Sequence, residues 1–301
     1  MPDADAGRSG QKEADELHRS SLTPLPSCIT DRKVVKQDFL EGFPICATFI
    51  ILTGTLRKLE DIVGTLFEDL SAQFQQSFIE ADRWQRYLDG IKISFLVTLG
   101  ALCIGIILGI LVAIIRTLHD QQKGSERNFL LNLFNSICKA YTTIIRGTPM
   151  MVQLLIMGFV VFKTSRNLVG VAILSLGINS GAYTAEIIRS GIMSIDPGQM
   201  EAGRSLGMDY ITVMKDIIIP QAIKNILPAL GNELITLFKD TSLVTVIGLT
   251  DLTKAAQQIQ AKTYQAFMPY IGIAIMYLVV VMILTKLLGI LEKRLRQSDR
   301  R

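Results

Sequence analysis

ISFLVTLGALCIGIILGILVAII, from Ile93 to Ile115, contains no Asp, Glu, Lys or Arg. A segment of this length and polarity suits the hydrocarbon core of a bilayer, where a helix satisfies its own backbone hydrogen bonds. Met268 to Leu291 repeats the pattern with Lys286 as its one charge. The whole chain of 301 residues agrees: 49% is hydrophobic, 19% is charged and the mean hydropathy is +0.37. These values exclude a disordered chain, a collagen-like fibre and a small disulfide-stapled domain, and they predict an all-α integral membrane protein.

Three more apolar stretches lie between these two. Phe129 to Phe162 is too long for one simple span and is interrupted at Arg146-Gly147-Thr148-Pro149, where Thr148 is placed to cap a new helix and Pro149 suits its first turn. Leu168 to Ile188 makes a third span, and Ile217 to Leu249 a fourth. Lys and Arg are unevenly shared among the connections. Arg116, Lys123, Arg127, Arg189, Arg204, Lys215 and Lys224 fall on one side with the tail residues Lys293, Arg294, Arg296, Arg300 and Arg301. The other side holds Lys163, Arg166, Lys254 and Lys262. The positive-inside rule then predicts a cytoplasmic C-terminus and a cytoplasmic loop between the third and fourth spans.

The N-terminal region is less regular. Residues 1–58 form a mixed-charge tail with a short apolar segment, Phe43 to Leu56, which reads as a short span, a buried segment or a signal core. Residues 59–90 carry Leu59, Ile62, Val63, Leu66, Phe67, Leu70, Phe74 and Phe78 at helical spacing, with Glu60, Asp61, Glu68, Asp69 and Gln75 on the other face. This predicts an amphipathic helix that meets either the membrane surface or a partner before the chain enters the bilayer. Residues 91–291 are the transmembrane domain, with a loop at about 194–220, and residues 292–301 are a basic tail beside anionic lipid. A net charge of +4 without a dense cluster elsewhere gives no reason to expect nucleic acid. Cys28, Cys46, Cys103 and Cys138 lack metal-ligand or redox spacing, and no metal is expected.

The loop from Ser194 to Gly207 reads SIDPGQMEAGRSLG. Asp196 is placed as an N-cap, Pro197 as the first helical residue, Gln199 as the partner in a capping box and Gly207 as the terminator. After Met208-Asp209, Tyr210 to Ile219 predicts a second short helix, with Pro220 breaking it before re-entry into the membrane. Two short helices separated by glycine make a helix–turn–helix knob suited to a groove on another protein.

Glu201-Ala202-Gly203, Gly207 and Ile217 to Pro220 resemble the EAA loop of permease subunits from binding-protein-dependent ATP-binding-cassette importers. Gly203 replaces the usual Ala and Ile219 the usual Leu. Arg146 to Gln153, Gly181 to Arg189, Pro220 to Lys224 and Lys239 to Leu243 are similar to segments of the polar amino acid uptake branch, and the resemblance runs from about Tyr87 to Leu291. It implies a type I importer permease with about five core transmembrane helices, paired with a second permease subunit as a homodimer or heterodimer. Two ABC ATPase subunits, with ATP and Mg as their cofactors, would dock at Glu201, Ala202, Gly203, Arg204 and Gly207. An extracytoplasmic amino acid-binding protein would deliver the substrate to a bacterial-type cell membrane. The chain has no Gly-Lys dipeptide and hence no P-loop, so it is not its own motor.

Polar residues in the spans supply the candidate substrate pathway. Asn179, Tyr183 and Glu186 share a face of the third span beside Ser180, and Glu233, Thr236 and Asp240 share one in the fourth, followed by Thr241 and Ser242. Intramembrane carboxylates are costly unless paired or hydrated, so a pathway or an ion pair such as Glu186 with Arg189 is expected. Only His18 and His119 are available for histidine chemistry, and neither H-E-x-x-H nor G-x-S-x-G is present, which argues against catalysis. An ion-coupled secondary amino acid transporter is the alternative, disfavoured because no inverted repeat is visible and the knob would have no use.

Overall fold

The computed structural model describes Lys58, residues 62–120 and residues 129–297. The apolar segment 43–56, the cations Lys123 and Arg127, and residues 298–301 lie outside the described residues. Every regular element among the described residues is helical. Of the unit Met1–Thr65, the described residues are helical, and Leu66–Arg301 forms a unit of its own.

Within the second unit, the leading helix continues to residue 74 and leaves its apolar stripe uncovered at Leu66, Phe67 and Phe74. A wide turn over Gln75–Ile79 and left-handed backbone at Ala81 and Asp82 separate it from α1, Arg83–Asp120. Phe78 is the anchor: its ring lies 5.0 Å from that of Tyr87. The amphipathic element and the first span are therefore distinct helices separated by a kink at Ala81 and Asp82.

The helices that follow are α2 (Phe129–Gly147), α3 (Met150–Ile156, widened over Met157–Val161) and α4 (Leu168–Met193). The knob helices are α5 (Pro197–Ser205) and α6 (Tyr210–Val213). Then come α7 (Ile219–Asp240), a tight turn over Thr241–Ile247, α8 (Leu252–Thr263) and α9 (Phe267–Gln297). The expected break falls between α2 and α3, which meet at 107°. Its chemistry differs from expectation. Pro149, with ψ 135°, is itself the N-cap residue, so Thr148 stands outside the new helix and turns its hydroxyl back to donate to the Ile144 carbonyl at 2.9 Å. That carbonyl is one of the orphans left where α2 stops.

Among the described residues, three helices are long and apolar enough to cross a membrane alone, or four if the bent α2–α3 pair counts as one span. The fourth expected span, α7, is long enough but carries Lys224, Glu233, Lys239 and Asp240. α7 packs on α1, α4 and α9: Ser180 of α4 donates to Glu233, and a Cβ on Gly231 would lie 2.2 Å from Leu288 Cδ1 of α9.

The most extensive contact joins α1 to α4. Gly105 and Gly109 of α1, and Gly177 and Gly181 of α4, are spaced as small-xxx-small pairs. A Cβ on Gly109 would approach Thr184 Cγ2 to 2.5 Å, and one on Gly177 would approach Ile104 Cβ to 2.8 Å. Between lipid-bathed helices no hydrophobic gain drives association, so close backbone approach with van der Waals contact does the holding. Around this seam Val97, Ala101, Leu154, Ala172, Leu176 and Leu237 form the main buried cluster.

Candidate functional site

The knob is built as its sequence requires, with two changes. Asp196 Oδ1 accepts from the Gly198 amide at 2.8 Å, while the Gln199 amide donates to the Asp196 backbone carbonyl at 3.0 Å. The cap thus works through the second helical residue and not through the reciprocal box expected with Gln199. At the other end Gly207, at φ +84°, completes a Schellman motif: its amide donates to Arg204 O at 3.0 Å and that of Met208 to Gly203 O at 3.2 Å. Asp209 then caps α6, accepting from the Ile211 and Thr212 amides and from the Thr212 hydroxyl. The Thr212 hydroxyl foremost, with those amides, holds its carboxyl below the usual carboxylate range.

Pro220 does not break the second helix. The turn over Met214–Ile218 widens so that the Ile219 amide reaches Met214 O, and the helix passes through Pro220 into α7. Widening relieves the clash a proline ring makes with the carbonyl four residues earlier. Gln221 Nε2 donates to Ile217 O at 2.9 Å and satisfies one of the carbonyls near the proline. The knob is therefore rigidly continuous with a membrane helix.

Of the candidate coupling residues, Glu201, Ala202, Arg204 and Gly207 are exposed, whereas Gly203 is buried. A Cβ on Gly203 would lie 2.7 Å from Val213 Cγ2, so the glycine sets how closely α5 seats on α6. The sequence reading missed Leu206 and Ile211, which present apolar side chains at 83% and 72% exposure. Their signal was their position beside the two caps, where an apolar residue has no core to enter.

The second region is an open cleft of about 450 Å³ between the end of α2, α4 and α7, lined by Arg146, Tyr183, Glu186, Ser190, Asn225 and Glu233 among others. Glu186 is held by two guanidiniums: Arg116 Nη1 donates to its Oε1 at 2.5 Å, and Arg146 Nη1 lies 3.9 Å from its Oε2. Arg146 also covers the Tyr183 ring at 5.3 Å. Arg189 is not the partner of Glu186; it pairs with Asp120 of α1 at 3.2 Å. It lies almost one helical turn beyond Glu186, on the side where α1 ends. Ser180 Oγ donates to Glu233 Oε1 at 2.8 Å, and Glu233 forms no ion pair with any described residue.

The structure thus brings Tyr183, Glu186 and Glu233 together, with Ser180 behind Glu233. Asn179 points elsewhere and donates to Gln153 Oε1 at 3.0 Å. Thr236 is exposed, with its hydroxyl donating to Asn232 O, so it does not share the Glu233 contact. Asp240 and Ser242 lie at the far end of α7 and in the following turn, outside the cleft lining. Thr241 is fully buried and its hydroxyl donates to Phe238 O at 2.7 Å, closing the helix end. Arg116 was legible only as a flanking cation, because its partner is distant in sequence. A larger cavity of about 680 Å³ between α1, α4 and α7 is walled by aliphatic side chains such as Ile110, Ile188 and Ile223, and contains none of the candidate residues.

Half-exposed charge on membrane-embedded helices must border water or another polar surface, since lipid cannot solvate it. A helical bundle with such a face, joined rigidly to an exposed knob, has the parts of a transport subunit. Residues 128–297 match the family described as binding-protein-dependent transport system inner membrane component. The chain belongs to this family and is the multi-pass inner-membrane permease subunit of an ABC importer.

Its relatives include the arginine transport system permease protein ArtQ of Bacillus subtilis, 39% identical over 219 residues that cover 70% of this chain and 93% of ArtQ. The glutamine transport system permease protein GlnP of Escherichia coli K12 is 32% identical, with 69% and 92% covered. A solved amino acid ABC transporter with histidines has a chain 42% identical, with TM-score 0.63, covering 70% of this chain and 94% of that one. The MetNI methionine transporter, at 21% identity and TM-score 0.58 over 74% of this chain and 100% of that one, shares the fold. These relatives give no support to the secondary-transporter alternative.

Proposed function

We propose that this permease carries a polar amino acid through the cleft beside Glu233, driven by ABC ATPase subunits that grip the knob. The observation that carries the reading is the division of charge in the cleft. Glu186 is neutralised by Arg116 and Arg146, whereas Glu233 has a serine donor and, among the described residues, no cation. A carboxylate without a counter-ion suits an ammonium or another cationic group of the substrate, and Arg146, partly exposed and only 3.9 Å from Glu186, suits a carboxylate. The names of the relatives, arginine and glutamine permeases, fit such a bipolar substrate.

In this reading a second permease subunit completes the pathway, an extracytoplasmic binding protein delivers the amino acid, and ATP with Mg acts in the partner ATPases. The knob and the C-terminus face the cytoplasm. The knob moves with ATPase closure, and its unbroken passage into α7 carries that motion to Glu233. Uptake of labelled L-arginine and L-glutamine into proteoliposomes holding the assembled transporter tests this. Glu233→Gln should raise the half-saturating concentration of delivery-dependent uptake or abolish uptake, with assembly intact. Unchanged uptake in Glu233→Gln would remove Glu233 from the pathway.

A further inference from the structure

The break between α2 and α3 leaves backbone carbonyls without helical partners, and one side chain answers them. Gln153, one turn into α3, donates from Nε2 to Ile145 O at 2.8 Å, to Thr148 O at 3.2 Å and to Thr148 Oγ1 at 2.7 Å. Its Oε1 accepts from Asn179 Nδ2 of α4 at 3.0 Å. The orientation of the amide is fixed by chemistry: Ile145 O and Thr148 O only accept, and the Thr148 hydroxyl already donates to Ile144 O. Exchanging the amide oxygen and nitrogen would set acceptor against acceptor on one side and donor against donor on the other.

We propose that Gln153 is a positioning residue of the transport cycle, a single amide that ties the bend of the broken helix to α4 and thereby sets Arg146 in the cleft. Arg146 is the penultimate residue of α2 and adjoins the capped Ile145 carbonyl. Its guanidinium reaches Glu186 and Tyr183, both on α4. Bending at 147–149 therefore moves Arg146 relative to the helix that holds its partners. Gln153, on α3, caps the end of α2 at Ile145 and holds Asn179 of α4, so it links both sides of the bend to the helix that carries the partners of Arg146. While the amide is seated, the bend and the placement of Arg146 change as one variable. When it is lost, the carbonyls of Ile145 and Thr148 lose their donor and the bend loses its tie to α4.

The assignment rests on the transport reading given above, so its test has one arm that is independent of substrate. Hydrogen–deuterium exchange on the assembled transporter in lipid nanodiscs reads local opening of residues 145–156. Gln153→Glu retains the acceptor for Asn179 and removes the donor to the carbonyls; Asn179→Leu does the reverse. Each should speed exchange in this segment by roughly tenfold, the scale of one net hydrogen bond, while the knob exchanges as in the wild type. Because the amide works as one bridge, Gln153→Glu combined with Asn179→Leu should exchange no faster than the faster single variant.

The second arm separates positioning from mere support. Uptake of L-arginine and L-glutamine per assembled transporter should fall in Gln153→Glu through maximal rate. In an Arg146→Gln background the same change should cost nothing further, because its effect passes through Arg146. Unaltered exchange in the single variants overturns the capping role. Additive losses of uptake with Arg146→Gln overturn the positioning role. Absence of uptake by the wild type for both amino acids, with exchange behaving as stated, counts against the substrate reading and leaves the bridge supported.

Discussion

Gly207 shows how much a single residue decides here. Its φ of +84° places it where an L side chain is strained, although a Cβ there would meet no neighbour within 4 Å. Gly207→Ala should therefore destabilise the knob by about 1–2 kcal/mol through backbone conformation alone, with Gly207→Asn costing less. Limited proteolysis at the loop, at matched assembly, measures the difference. Asp209 adds a pH dependence. Its folded carboxyl is held below the ordinary value by Thr212 and two backbone amides, so its capping contribution is complete above the ordinary carboxylate pKa of about 4 and is lost as pH falls through the lower folded value. Protease protection of the loop should thus be flat at neutral pH and fall only in acid, and in Asp209→Asn the dependence on this group should vanish. In the cleft, Glu186→Gln leaves Arg116 and Arg146 without their shared anion and should cost roughly 1.5–3 kcal/mol, read as a lower thermal midpoint in detergent.

Helix–helix contact governs the next scale. Gly109→Val would place side-chain atoms where a Cβ alone already stands 2.5 Å from Thr184, and should cost about 1–3 kcal/mol as α1 and α4 separate. Gly289→Val on α9, where nothing lies within 4 Å, is the control and should leave the midpoint close to wild type. The contrast also shows what the sequence could and could not disclose. The apolar runs and the polar loop identified the first, third and fifth spans and the helix–turn–helix, because bilayer length and capping chemistry are local properties. The α1–α4 glycine seam escaped notice because small residues inside an apolar run do not alter its hydropathy. Pro220 was misread as a breaker because the wide turn at Met214–Ile218 that accommodates it is invisible in composition. The pairing of Glu186 with Arg116 required two helices to meet, and sequence proximity favoured Arg189 instead.

Across the whole molecule, the same chain that carries the exposed knob becomes α7, and α7 brings Glu233 to the cleft. The loop motifs were legible because each names a local conformation, whereas the cleft emerged from three helices converging and was only half visible as polar residues within spans. In the proposed function the knob is the point at which an ATPase acts on the pathway. The most direct measurement is ATP hydrolysis by the assembled transporter in nanodiscs, with and without substrate-loaded binding protein, in the wild type and in Glu201→Lys. Glu201 is exposed, so its reversal leaves the fold in place. Substrate-loaded binding protein should stimulate hydrolysis in the wild type and fail to do so in Glu201→Lys. Equal stimulation in both, or a stable wild-type complex that holds no ATPase, would contradict this role of the knob.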